Sequence, residues 1–125
     1  MLAALAEDGA KREGDAGPRQ AILALGLLSA LGEPVGAAEW TPLLGRATPP
    51  TLGPQPTPVW LDLPRAAASR RLGETVLLAV LLASDGTRLT PEPVTLARAV
   101  DSLTAAGLDG DARAVAVEAA LGAGL

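Results

Sequence analysis

The sequence contains no histidine, no cysteine, no phenylalanine and no tyrosine, and Lys11 is its one lysine. Without histidine it lacks the commonest general base, and without cysteine the strongest side-chain nucleophile. The same gaps exclude disulfides and thiolate metal sites and make zinc binding very unfavourable. The aromatic complement is Trp40 and Trp60 alone. A core without other rings must be filled by Leu, Val and Ala, which suits close helix-on-helix packing better than a sheet. Long apolar runs are also missing. The two greasiest stretches, residues 21–31 and 76–83, fall well short of the roughly 20 apolar residues a spanning helix needs, so no membrane span is expected.

What remains is apolar and weakly acidic. Hydrophobic residues make up 49% of the 125 positions and charged residues 19%, with a net charge of −4. A nucleic-acid partner calls for a basic surface to neutralise phosphates, and none is evident, so nucleic-acid binding is not expected. The length fits a single domain with a real core. Met1 is followed directly by Leu2-Ala3-Ala4-Leu5-Ala6, with no basic region ahead of the apolar run. The expectation is therefore no signal peptide, and a chain that starts as though inside a helix, as a piece of a longer protein would.

Along the chain, residues 2–6 read as the end of a helix and residues 7–17 as a loop. Pro18 suits the first turn of a helix, and residues 21–31 are apolar all round, the mark of a buried helix closed by Gly32. Glu33-Pro34 opens a shorter helical stretch through Trp40, and Thr41-Pro42 reads as a cap followed by one more turn through Leu44. Residues 48–58 carry Pro49, Pro50, Pro54, Pro56 and Pro58. That density predicts an extended, Pro-rich connector. Asp62-Leu63-Pro64 restarts helix until Gly73, and residues 74–84 form a second buried helix. Thr90-Pro91-Glu92 predicts a helix start, with Leu96, Val100 and Leu103 on one face and Arg98, Asp101 and Ser102 largely on the other. Gly107 stops that helix, and the last runs from Ala112 to Leu121. The expected fold is all-α, with five or six helices packed as hairpins, in a solenoid-like or irregular bundle centred on residues 22–31 and 76–82.

Two features suggest repetition. Residues 20–32 align without a gap on residues 74–86, sharing the apolar run and the closing glycine. In the C-terminal pair, Gly107 lies near the inter-helix turn, Ala112 early in the second helix, and Ala119 seven residues on. On those residues, positions 94–121 resemble a degenerate tetratricopeptide-like repeat, in which glycine permits the tight turn and small residues let the helices touch. The stretch departs from the family where no Trp or Tyr fills the first helix and Ala116 stands where an aromatic is usual. The C-terminal segment is also similar to the tails of Ala- and Leu-rich helical proteins of GC-rich bacteria. The resemblance implies an α-solenoid and partners that are proteins or neighbouring repeats.

No constellation points to catalysis. Ser69 sits in Ala67-Ala68-Ser69-Arg70-Arg71, away from any strand-turn-helix elbow, and no lysine follows a serine by three residues. Asp109 and Asp111 fit the positive end of the last helix better than a metal site, because the position that should close a calcium loop is Ala120. No glycine-rich phosphate loop leads into a helix with a lysine, and no cofactor is expected. The candidates for partner binding are Trp40 and Trp60, otherwise the largest core pieces, together with the proline ridge of Pro54, Pro56 and Pro58 and the basic group of Arg65, Arg70 and Arg71. The expected function is a non-enzymatic helical interaction or scaffold module, possible as the C-terminal end of a longer solenoid. The alternative is a small apolar-ligand carrier with its pocket between the two greasy helices.

Overall fold

The structure, a computed structural model, describes residues 2–11, 16–45 and 57–125. Among these, seven helices form: α1 (Leu2–Lys11), α2 (Ala16–Ala30), α3 (Ala37–Leu44), α4 (Thr57–Ala68), α5 (Leu72–Ala83), α6 (Pro93–Ala105) and α7 (Asp109–Gly122). No sheet is present among the described residues, and the nearest approach to one is an isolated antiparallel bridge between Ser84 and Leu89. The fold is all-α, with seven helices rather than the expected five or six.

The differences from the sequence reading have local causes. Helix α1 continues through Glu7 and Asp8, where a loop was expected. Ala6, Gly9 and Ala10 bury against the neighbouring helix there, and packing outweighs the weak helical propensity of glycine. Thr41 is inside α3 rather than capping it, and its hydroxyl donates to the Ala37 carbonyl at 2.6 Å. Helix α4 begins at Thr57, so Thr57 and Pro58 belong to a helix and not to the connector; the rest of that stretch lies outside the described residues. Helix α6 begins two residues later than expected, with Glu92 rather than Thr90 at its cap position. Pro93 pushes Glu92 into extended backbone, while the Thr90 hydroxyl accepts the Glu92 N–H at 3.4 Å.

Four helices end in the same way. In α2, α4, α6 and α7 the last turn closes with a pair of backbone hydrogen bonds, such as Gly107 N–H to Thr104 O and Leu108 N–H to Leu103 O. The residue in the left-handed conformation is Gly32, Gly107 or Gly124 in three of them. In α4 it is Arg70, with φ of 52°, so that helix stops at Ala68 and Gly73 lies inside α5. Holding a residue with a Cβ in this region costs on the order of 1 kcal/mol.

Helix α6 is the centre of the molecule, packing on α2, α4, α5 and α7. The main core gathers Leu23 and Leu27 of α2, Leu63 of α4, Leu96, Val100 and Leu103 of α6, and the alanines of α7. A second core joins Ala6 and Ala10 of α1, Ala21 and Leu25 of α2, and Leu43 of α3. Helix α2 serves both, as its apolar-all-round sequence requires. Helix α5 does not hold the central place expected of it. It buries Thr75, Ala79, Leu82 and Ala83 and packs Leu78 partly against the core, while Leu72, Val76, Leu77, Val80 and Leu81 face outward. Ser102, expected on the outer face of α6, is buried.

Candidate functional site

Two surfaces stand out, a groove walled by both tryptophans and the outer face of α5. Trp40 projects from α3 and packs against the second core, whereas Trp60 projects from α4 and packs against the main one. Each is half-buried rather than enclosed. Between them runs a groove of ≈ 370 Å³ over the α2–α6 seam, floored by Gly26, Ala30 and Ala97. Gly26 and Ala97 bring the two backbones close, since a Cβ at Gly26 would lie 3.5 Å from that of Ala97. The groove is therefore mostly apolar, with Arg98 and Asp101 supplying charge at one side.

Arg98 was not legible as a site residue from its place on the outer face of α6. Its guanidinium stacks over the Trp60 ring, 5.0 Å from the centroid, and Nη2 donates a long hydrogen bond of 3.5 Å to the Trp60 carbonyl. The reason that carbonyl is open lies four residues on. Pro64 has no N–H, so the usual helical donor to Trp60 is missing. Nε of Arg98 is buried and has no partner among the described residues.

The other expected site residues divide. Pro58 is exposed in the first turn of α4, and Pro54 and Pro56 lie outside the described residues. The three arginines do not act as one basic cluster. Arg65 pairs with Asp62 at 3.4 Å and Arg71 with Glu74 at 2.6 Å, both on the surface. Arg70, exposed at the left-handed cap, makes no ion pair among the described residues.

The second surface came from a run expected to be buried. On α5, Leu72, Val76, Leu77, Val80 and Leu81 are 41–59% exposed and occupy one continuous face. Beside them a groove of ≈ 450 Å³ opens between α5 and α7, whose backbones do not pack closely on each other. Helices α2 and α5 do not pack directly on each other, since α6 lies between them. Beyond α5 the chain bends through residues 85–88. Asp85 accepts the Thr87 N–H at 2.9 Å, the Arg88 N–H at 3.0 Å and the Thr87 hydroxyl at 2.8 Å. These donors hold its carboxyl well below the ordinary 3.8, at about 2.

Asp109 and Asp111 lie exposed in the first turn of α7, facing the positive end of its dipole. No group of three or more acidic side chains positioned to hold a metal occurs among the described residues. No described helix is long and apolar enough to cross a membrane. Searches of protein-family models, curated proteins and solved structures give no match to this chain.

Proposed function

We propose that this chain is a non-enzymatic helical interaction module whose contact surface is the outer face of α5. The observation that carries the reading is the row of five large aliphatic side chains on that face, with no charge among them. Soluble proteins rarely leave a contiguous apolar face of this kind open to water, and such faces mark interaction sites. The adjoining groove supports the same use, because a helix laid between α5 and α7 would bury both walls. The α6–α7 hairpin supports a solenoid-like form of the reading, with neighbouring repeats or a separate protein as the partner.

A fluorescent apolar dye gives the test. As a single chain at high dilution it should bind the dye, and Leu77→Asp together with Leu81→Asp should abolish binding with the helical circular-dichroism spectrum unchanged. A strictly monomeric chain that binds no dye would remove the basis for this reading.

One observation favours a second use, as a carrier of small apolar ligands. The groove between Trp40 and Trp60 has the volume of a small-ligand site and a mostly apolar lining. Native mass spectrometry of freshly purified protein separates the two ideas, since a carrier retains a lipid-like mass whose removal changes tryptophan emission.

A further inference from the structure

The α5 face ends in opposite charges. Arg70 stands just before its first residue and Asp85 just beyond its last, both exposed. Three independent features of these residues bear on what covers the face. First, the midpoint between positions 70 and 85 falls between Leu77 and Leu78, close to the middle of the apolar row. Second, Arg70 occupies a left-handed helix cap that holds glycine at three other helix ends, and it makes no ion pair among the described residues. A strained position that carries a long cation is one where the side chain has a use outside its own fold. Third, the loop that follows α5 fixes the Asp85 carboxylate in place, the Thr87 and Arg88 N–H groups and the Thr87 hydroxyl all donating to its Oδ1.

We infer that the α5 face pairs with a second copy of itself in an antiparallel, two-fold arrangement. This rests on the reading of α5 as an interaction surface and names its occupant. A two-fold axis level with the midpoint between positions 77 and 78 places Arg70 of each copy against Asp85 of the other, so one geometric operation pairs both charges and buries both apolar rows. The groove beside α5 accepts the incoming helix. Val76 and Val80 form one wall, Ala114 and Val115 the other, and Ala99 and Leu103 the floor. A parallel pairing would instead set Arg70 against Arg70 and Asp85 against Asp85. Like charges facing across an interface select against that register.

The experiment is light scattering and sedimentation across a wide range of concentrations. The expected mass is twice the 12.5 kDa of one chain. Leu77→Glu should return it to a single chain with the helical spectrum intact. The register is tested by three surface variants that leave the apolar row alone. Arg70→Asp, a residue that tolerates the left-handed conformation, should weaken the dimer about tenfold by facing Asp85 of the second copy. Asp85→Asn keeps the loop's hydrogen-bond acceptor, and combined with Arg70→Asp it should recover most of that loss. Effects that simply add would overturn the antiparallel register, even if the chain is dimeric. A chain that stays monomeric while binding dye through α5 overturns self-pairing and leaves the interaction reading standing. A monomer that binds no dye overturns both.

Discussion

Arg98 does for Trp60 what Pro64 cannot. Its guanidinium donates to the Trp60 carbonyl at 3.5 Å and lies 5.0 Å from the ring centroid, so one side chain holds both the backbone and the ring of the same residue. Replacement of Arg98 by Met keeps the aliphatic stem but loses both contacts. A loss of about 0.5–1.5 kcal/mol in urea unfolding is expected, with a shift in tryptophan emission. Pro64→Ala supplies the missing N–H. In that background the same Arg98 replacement should cost measurably less, and equal costs would separate the two residues.

Leu23 and Leu77 hold matching places in the two aligned apolar runs, yet Leu23 is 3% exposed and Leu77 59%. Thermal unfolding should register the difference directly. Leu23→Ala is expected to cost about 2–5 kcal/mol, whereas Leu77→Ala should fall within about 0.5 kcal/mol of the parent chain when measured as a monomer.

That pair also marks the limit of what the sequence reveals. Hydrophobic periodicity places α2 and α5 as helices, but it does not say how many neighbours each will find. Helix α2 meets partners on both sides, α6 on one and α1 with α3 on the other, and so buries Leu23 and Leu27 in one core and Ala21 and Leu25 in the other. Helix α5 meets α4 and α6 only, and the same kind of sequence is left half in water. The turn at Gly107 and the all-α class were legible because they depend on local chemistry. The Trp60–Arg98 arrangement was not, since Arg98 is 38 residues away in the chain. The one local hint was Pro64, four residues after Trp60, which announces an unpaired carbonyl without naming what fills it. The continuation of α1 beyond Ala6 was missed because its support comes from packing on α2.

Gly9 is where α1 and α2 come closest. A Cβ added there would collide with the Cβ of Ala21. Gly9→Ala gains helical propensity, but the overlap forces the helices apart. A net loss of about 1–3 kcal/mol is expected by thermal denaturation. Adding Ala21→Gly should recover much of it, since the methyl is then merely moved from one helix to the other.

Asp85 gives the molecule an acid-sensitive loop. Its carboxyl titrates at about 2 in the folded chain, below the ordinary 3.8, because the Thr87 and Arg88 N–H groups and the Thr87 hydroxyl favour the charged form. A depressed folded value means that the contribution is fully present above about pH 4 and is lost as pH falls through about 2. Carbon-detected NMR should show the Asp85 carboxyl titrating in that range. Asp85→Asn should flatten the corresponding part of the stability curve by lowering stability above about pH 4, with little change below about pH 2.

The doubly committed position of α2 divides the protein into layers of unequal tenacity. Helices α1 and α3 attach through the smaller core, where Leu25 and Leu43 are the large side chains fully buried and Trp40, Leu5 and Ile22 are only partly covered, whereas α6 is gripped by four neighbours. Loosening of the thinner layer leaves α2 anchored on α6 through Leu23 and Leu27, so the chain can shed one face without forfeiting the other. Amide hydrogen exchange should accordingly release α1 and α3 well ahead of α6. The N-terminal layer would then act as a removable cladding over a spine that persists beneath it.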